Sequence, residues 1–275
     1  MPSLPSDTFT LTNEQISQFH KLGYLILSNF FSEQETRALV AELERFKRDG
    51  LGRNVATDGD GQTLSQTKVN YQIIPLNNKS TLMRALPFAP KVKYLISRLI
   101  GEPFGRNLDQ IFLKPGRSGV GTDWHTDNGY FRLSDPSKGM ALWIALHDSN
   151  LANGTLHVIP GSDKMSFAHE RDGNSNHHIH ISEGLAESEA VPAIIKAGGV
   201  VCFNYGIAHA TKENTTDQER AGLAFHFVRT DHIPAASSDH FKDVVHITGP
   251  AASGGQTEYG LQVAGTWEDE VAKLT

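Results

Sequence analysis

The stretch Asp123-Trp124-His125-Thr126-Asp127-Asn128-Gly129-Tyr130-Phe131 carries the pattern from which the rest of the chain is interpreted. We expect its first part to be a β-strand, in which side chains at positions i and i+2 point to the same face. His125 and Asp127 would then offer an imidazole and a carboxylate to one metal ion. The spacing His-x-Asp is a weak signal in a chain with 13 histidines and 31 acidic residues, so its meaning depends on the surrounding sequence.

The metal pair needs a third ligand, and His209 is the best candidate. It lies in Gly206-Ile207-Ala208-His209-Ala210-Thr211, which follows the apolar run Val200–Asn204 and a Tyr-Gly turn. The turn would reverse the chain and bring His209 to the same end of the fold, with Thr211 on the same face of its strand. Two histidines and one carboxylate on one face of a metal are the ligands of non-haem Fe(II) oxygenases. The histidines that compete for this role are His169, His226 and His232.

The composition narrows the class of protein. The chain has 275 residues, 39% of them hydrophobic and 20% charged, as in soluble globular proteins. A formal charge of −6 and a pI near 6.1 indicate no general affinity for nucleic acid or an anionic membrane. No run approaches the roughly 20 apolar residues of a membrane span, and the N-terminus has no signal-peptide pattern. Cys202 is the only cysteine, which excludes an internal disulfide and a cysteine-based zinc site and favours a cytoplasmic location.

The first third of the chain, about residues 12–105, has helical patterns. One helix is predicted to begin after Thr12, and a second begins at Ser32 with a possible capping box to Glu35. A short strand is expected between them at residues 23–27, and a third helix at about residues 89–100. Residues 51–66 are rich in Gly, Asp and Asn, which predicts a loop.

From Asn107 the pattern changes to short β-like runs separated by turns, which is typical of a β-sandwich or barrel. The predicted strands are Asp109–Lys114, Gly121–Asp127, Met140–His147, Thr155–Ile159, Val200–Asn204, Ala208–Lys212 and Ala221–Thr230. Helices followed by strands predict one α+β, mainly β domain over residues 1–275. We expect a jelly-roll, cupin-like core at about 107–230, buttressed by the N-terminal helices, with a C-terminal extension over 231–275.

Residues 163–197 interrupt the strand pattern and predict a lid-like insertion at the mouth of the barrel. The insertion contains a cluster of three histidines, His177, His178 and His180. Such a cluster can bind metal, but a solvated polar loop is the simpler interpretation.

Two strands carry side chains that suit a ligand-filled lumen. Arg220 shares a face with Gly222, Ala224 and His226, and these small neighbours leave room for a carboxylate that a guanidinium can hold with two hydrogen bonds. Trp143 lies between Ala141 and Ala145 in the same way. We therefore expect Arg220 to bind an anion and Trp143 to form one wall of the lumen.

Taken together, these residues resemble the phytanoyl-CoA dioxygenase family of Fe(II)- and 2-oxoglutarate-dependent oxygenases. The resemblance spans about residues 15–230. The segments that carry it are His125-Thr126-Asp127, Trp143, Asn153-Gly154-Thr155-Leu156-His157-Val158-Ile159-Pro160-Gly161-Ser162, His209, Arg220 and the turn Lys114-Pro115-Gly116. The family usually has His-Gln-Asp where Thr126 stands here, and Pro-Gly-Ser-His where Asp163 stands. Neither departure affects a residue expected to bind the metal.

The resemblance implies a double-stranded β-helix in which His125, Asp127 and His209 bind Fe(II). It implies that Arg220 holds the distal carboxylate of 2-oxoglutarate, with Thr211 and Trp143 beside it. Side chains expected near the inner carboxylate of the cosubstrate are Gln72, Asn107 and Gln110. O2 would be the second cosubstrate, and succinate and CO2 would be released as a substrate C–H bond is oxidised, most simply to an alcohol.

Two other functions remain open at this stage: a non-oxygenase metal enzyme, and a ligand-binding module on the same barrel. The Arg220 slot disfavours a hydrolase, and the complete metal set disfavours a module without catalysis. The substrate is expected to be a small or moderately sized polar metabolite, with Tyr130, Phe131 and Arg132 as candidates for its pocket. The sequence does not indicate the oligomeric state.

Overall fold

The computed structural model describes residues 9–175, 178–235 and 241–275. Its helices are α1 (Asn13–Leu22), α2 (Glu33–Arg48), α3 (Thr81–Ala85), α4 (Pro90–Ile100), α5 (Asn128–Phe131), α6 (Gln256–Tyr259) and α7 (Trp267–Ala272). The first two begin at side-chain caps. Ser32 accepts a hydrogen bond from the backbone N–H of Glu35, whose carboxylate accepts one from Ser32 N in return. This confirms the predicted capping box, which satisfies backbone donors that the helix leaves free.

The strands form two larger antiparallel sheets and a small hairpin. They are β1 (Tyr24–Leu27), β2 (Arg53–Asn54), β3 (Tyr71–Ile73), β4 (Phe104–Lys114), β5 (Thr122–His125), β6 (Gly139–Ala145), β7 (Leu156–Val158), β8 (His169–Arg171), β9 (Ile179–Ile181), β10 (Val191–Pro192), β11 (Val200–Asn204), β12 (His209–Thr211), β13 (Arg220–Arg229) and β14 (Val245–His246). The large sheet has the order β1-β11-β6-β13-β4-β3-β2, with β14 beside β4, and the second has the order β10-β7-β12-β5.

The alternation of side chains along β6 and β13 separates two layers of the interior. On β13, Leu223 and Phe225 join the main apolar core with α2 and α4, whereas Ala224 joins a second cluster on the inner face of the sheet. That second cluster also contains Leu156 and Val158 of β7, so the two sheets face each other across it. The arrangement confirms the predicted α+β fold, with helices covering one face of a jelly-roll core.

The strand predicted for residues 121–127 is wrong at its end. Strand β5 stops at His125, and Asp127 has helical backbone angles (φ −60°, ψ −31°) where it begins α5. A helical turn, rather than the alternation of a strand, therefore directs the Asp127 side chain. The chain leaves the sheet here because Asn128 N donates to Tyr205 O, outside the ladder of β5.

The predicted insertion contains paired strands, and the predicted C-terminal extension packs against the main core. Residues 163–197 contain the β8–β9 hairpin, and β10 pairs with β7 in the second sheet. In the extension, Trp267 is 2% exposed within the main core, and its indole N–H donates to Glu35 of α2. The division into one domain over residues 1–275 stays a prediction. Among the described residues, no helix is long and apolar enough to cross a membrane.

Candidate active site

Three predicted metal ligands meet in the structure. His125 and His209 are direct partners in the pairing of β5 with β12, and Asp127 follows β5 by two residues. Ligand atoms of the three side chains all lie within 4.8 Å of one another. All three residues are buried, with exposed fractions of 8%, 5% and 7% for His125, Asp127 and His209. Within the described ranges, no other group of histidine, cysteine or acidic side chains has this geometry.

Hydrogen bonds set the tautomer of both histidines. His125 Nδ1 lies 2.8 Å from Asp123 O, and His209 Nδ1 lies 3.0 Å from Ile207 O. A carbonyl oxygen only accepts, so each Nδ1 must carry the proton and donate it. Each Nε2 is then a lone-pair donor, the form in which a histidine binds a metal.

Burial also controls the charges at this cluster. It lowers the pKa of His125 to about 4 and the pKa of His209 well below its usual value. It raises the pKa of Asp127 to about 7, and Asp127 Oδ2 has no hydrogen-bond partner among the described residues. A divalent cation would favour the ionised form of Asp127 and offset the cost of burying its charge. It would also bind Asp127 Oδ2. The donor set therefore fits Fe(II).

A pair of buried cations lines the same cavity as the metal cluster. Arg220 of β13 is the direct cross-strand partner of Lys114 of β4, and each is 1% exposed. The Lys114 ammonium donates to Thr211 Oγ1 at 2.6 Å and to the carbonyl of Lys212, and Arg220 donates to the carbonyl of Gly154. Neither cation forms an ion pair with any carboxylate in the described part of the chain.

Arg220 and Lys114 are two neighbouring basic side chains that have no acidic partner among the described residues. Desolvation, followed by the charge of Arg220, lowers the pKa of Lys114 well below 10.5, and desolvation lowers the pKa of Arg220 to about 10. The Arg220 Nε–H is buried and has no acceptor among the described residues. Like charges directly opposite each other destabilise a sheet. An anionic ligand with two oxygens would satisfy both cations, as a carboxylate does.

Trp143 lines the same cavity beside Arg220. Its ring lies 5.9 Å from the Arg220 guanidinium carbon and packs against Gly222, where an added Cβ would come within 2.4 Å of the indole nitrogen. The indole therefore needs glycine at position 222. The expected inward face of Arg220, Ala224 and His226 also lines the cavity.

The metal cluster and the cation pair line one cavity of about 350 Å³. Of the residues expected near the inner carboxylate, Gln72 and Gln110 line this cavity and Asn107 does not. Asn107 lies in β4 beside the irregular pairing of His226 and Phe227. Its contact with the cosubstrate stays a prediction. Of the expected pocket residues, Tyr130 and Phe131 line the cavity and Arg132 does not.

Sequence reasoning gave no ligand-binding role to two cationic residues that line the cavity, Lys114 and Arg53. Lys114 ends a predicted strand on the same face as Gln110, a signal that the period of two could have supplied. His178 belongs to the histidine cluster that was interpreted as solvated, yet it is 7% exposed and its ring lies 6.4 Å from that of His125. The solvated-loop interpretation is wrong for His178. His177 lies outside the described residues.

The insertion at residues 163–197 also contacts residues 126–130, which adjoin or include the predicted metal ligands. His169 Nε2 accepts a hydrogen bond from the backbone N–H of Thr126 at 3.1 Å and lies 3.2 Å from the Thr126 hydroxyl. Tyr130 OH accepts a hydrogen bond from Ile179 N at 2.9 Å. Thr126 therefore joins the segment that carries His125 and Asp127 to the β8–β9 hairpin.

Comparison with known proteins identifies relatives of this chain. The sequence profile described as "Phytanoyl-CoA dioxygenase (PhyH)" matches residues 19–222. The chain is 31% identical over 258 residues to "Phytanoyl-CoA dioxygenase 1" of Oryza sativa subsp. japonica, and the match covers 81% of this chain and 90% of the rice protein.

Solved structures share the fold. EctD from S. alaskensis, solved with 2-oxoglutarate and 5-hydroxyectoine, has a TM-score of 0.64 at 18% identity, with 86% of each chain covered. The epimerase SnoN, solved with Fe3+, alpha ketoglutarate and nogalamycin RO, has a TM-score of 0.67 at 18% identity, covering 86% of this chain and 95% of SnoN. The chain therefore shares its fold with these structures.

Proposed function

This chain belongs to the phytanoyl-CoA dioxygenase family of iron- and 2-oxoglutarate-dependent dioxygenases, and we propose that it oxidises a C–H bond of a small-molecule metabolite, most simply by hydroxylation. The observation that carries the proposal is one cavity with a metal-binding triad at one position and a buried cation pair at another. Such a cavity offers a site for the metal and a separate site for the distal carboxylate of a dicarboxylate ligand.

We assign the metal to His125, Asp127 and His209. Their Nε2 and carboxylate atoms converge, and both imidazoles are held by their Nδ1 hydrogen bonds to backbone carbonyls. Backbone partners of this kind fix the ring orientation, so little ordering is needed when the metal binds. Three protein ligands on one side leave the remaining coordination positions to the cosubstrates.

We assign the distal carboxylate of 2-oxoglutarate to Arg220 and Lys114, with Thr211 as a hydroxyl partner. The Lys114 ammonium already donates to Thr211 Oγ1 at 2.6 Å, which fixes its position. Trp143 forms the wall that orients the carbon chain between this end and the metal.

When bound, Fe(II) and 2-oxoglutarate supply the oxidant by using O2 and releasing succinate and CO2. The protein positions the metal, the cosubstrate and the substrate, and it keeps water away from them. Phe203, Leu156 and Ala210 give the cavity apolar walls between its polar groups. These walls exclude water from the reacting atoms and strengthen each electrostatic contact.

The alternatives are less well supported. A metal hydrolase has no use for a buried cation pair beside its metal, and a binding module has no need of a complete open-sided metal triad. The cytoplasmic location expected from the single Cys202 stays a prediction.

The proposal is tested by anaerobic titration of the Fe(II)-loaded protein with 2-oxoglutarate. We expect the visible metal-to-ligand charge-transfer band that a bidentate 2-oxo acid gives on Fe(II). His125→Ala should lose Fe(II) binding and the band, because two protein ligands remain. A matched surface control is His20→Ala on α1, which should retain both.

A screen for succinate release with candidate metabolites then follows. If iron-loaded protein gives no charge-transfer band with 2-oxoglutarate, the residue assignment is wrong. If the band persists in His125→Ala at parental iron content, His125 is not a ligand.

A further inference from the structure

A hydrogen-bonded relay crosses three strands at the mouth of the cavity. Arg53 of β2 donates to Gln72 Oε1 at 2.9 Å, and Gln72 Nε2 donates to Gln110 Oε1 at 2.8 Å. Arg53 and Gln72 are direct cross-strand partners, and all three side chains line the cavity. This relay lies on strands β2, β3 and β4.

Arg53 determines how the side-chain amides of Gln72 and Gln110 are oriented. A guanidinium can only donate, so the Gln72 carbonyl oxygen must face it, and the Gln72 amide nitrogen must face Gln110. Gln110 therefore accepts with its oxygen and keeps its NH2 group as a donor. Among the described residues, none accepts a hydrogen bond from Gln110 Nε2. The relay thus offers the cavity donors from Arg53 and Gln110.

Arg53 also lacks a counter-charge. Its side chain is exposed at the mouth, and no described carboxylate forms an ion pair with it. The neighbouring walls are apolar, with Ile74, Leu108 and Phe112 lining the cavity beside the relay. A ligand that matches this surface has acceptor oxygens at one end and an apolar body.

We propose that Arg53 and Gln110 bind a carboxylate group of the substrate, so that the enzyme acts on a small carboxylic acid. The proposal rests on the proposed function, because it assumes that the inner cation pair is occupied by 2-oxoglutarate. The apolar body of the acid would extend from the relay along Phe112 toward the metal ligands. Arg53 is then a specificity-determining residue, and Gln72 is a positioning residue that orients Gln110.

The test uses short aliphatic and aromatic carboxylic acids, each paired with its primary amide. An amide has the shape of the acid but carries no charge and replaces one acceptor oxygen with a donor. Calorimetric titration into the anaerobic Fe(II)–2-oxoglutarate protein measures binding, and succinate release in air measures turnover. We expect at least one acid to bind about tenfold to a hundredfold more tightly than its amide, since a charge-assisted contact is lost in the amide.

Variants then show which residues cause the preference for the acid. Arg53→Gln should remove most of the preference for the acid and leave the affinity for 2-oxoglutarate within about twofold, whereas Arg53→Lys should keep part of it because the charge remains. Gln72→Leu should weaken the preference less than Arg53→Gln, because Gln110 is then free to turn. Arg37→Gln on the exposed face of α2 is the matched control and should change neither affinity.

Three results would overturn this inference. They are acids that bind no better than their amides across the panel, a preference that survives in Arg53→Gln, and a large loss of 2-oxoglutarate affinity in Arg53→Gln. The last result would assign the relay to the cosubstrate. Failure of the proposed function is distinct, because the parent protein would then give no charge-transfer band with 2-oxoglutarate.

Discussion

The cavity has two positively charged regions, and they differ in how the fold holds them. Arg220 and Lys114 face each other across the centre of the large sheet, buried and fixed by backbone carbonyls and Thr211. Arg53 lies in a two-residue strand at the edge of that sheet and is exposed at the mouth. A bound anion would offset the cost of burying the Arg220 and Lys114 charges, whereas water can solvate Arg53 when no ligand is present.

This difference suggests a division of roles between the two regions. A fixed, desolvated site suits a ligand that never changes, which is the cosubstrate. The mouth is bordered by short strands and by the β8–β9 hairpin, where residues can change without disturbing the central sheet. Substrate specificity is therefore expected to depend on the mouth.

The largest effect is expected at the buried pair. Arg220→Ala should weaken 2-oxoglutarate binding by about a hundredfold or more, because truncating one member of a buried charge contact costs roughly 2–5 kcal/mol. Arg220→Lys should lose less, because it keeps the charge but not the two-pronged geometry. Anaerobic charge-transfer titration gives both affinities. A loss below about threefold in Arg220→Ala would mean that the buried pair does not hold the cosubstrate.

The second cation should have a smaller effect on affinity and an opposite effect on stability. Lys114→Met should weaken 2-oxoglutarate binding about tenfold to a hundredfold, since one charge-assisted contact is lost. The ligand-free protein should become more stable by ~1–2 kcal/mol, because an unpaired buried charge is replaced by an apolar side chain. Urea unfolding measures this change, with Lys68→Met on the exposed loop as the control. Equal destabilisation of the free and ligand-bound forms would contradict it.

The lowered pKa of Lys114 predicts that the affinity for 2-oxoglutarate and the stability of the ligand-free protein change in opposite directions as the pH rises. Burial and the charge of Arg220 hold this pKa well below 10.5. As the pH rises through the lowered pKa, Lys114 loses its proton and the affinity for 2-oxoglutarate falls. Between that pKa and 10.5 the unfolded chain binds more protons than the folded one, so the ligand-free protein gains stability as the pH rises.

Both trends are measured by repeating the titration and the urea unfolding across the alkaline range. Lys114→Met should lack these Lys114-dependent components. If both trends persist unchanged in Lys114→Met, another group titrates in this range.

The smallest effect is expected at the contact between Thr126 and His169 of the insertion. Thr126→Val removes the hydroxyl near His169, and each of Thr126→Val and His169→Ala should destabilise the protein by ~1 kcal/mol. The double variant should lose less than the sum, because both changes break the same contact. Affinity for 2-oxoglutarate should stay within about twofold of the parent. Additive effects on stability would show that the two side chains are not coupled.

Sequence reasoning succeeded where the pattern is local. The alternation of small and large residues along β6 and β13 predicted that Trp143 and Arg220 face a lumen, and both line the cavity. The period of two applies to any regular strand, so no knowledge of its neighbours was needed. The same rule failed at Asp127, because the strand ends at His125 and a helical turn follows.

The sequence by itself indicated the candidate metal ligands, the fold class and the inward faces of the long strands, because these depend on residue type and on backbone periodicity. The tertiary structure alone decided which cations meet. Lys114 lies opposite Arg220 only through the register of β4 and β13, and Arg53 reaches Gln110 only through Gln72 of β3. Register and strand order are set by packing over the whole sheet, so short segments of sequence do not contain them.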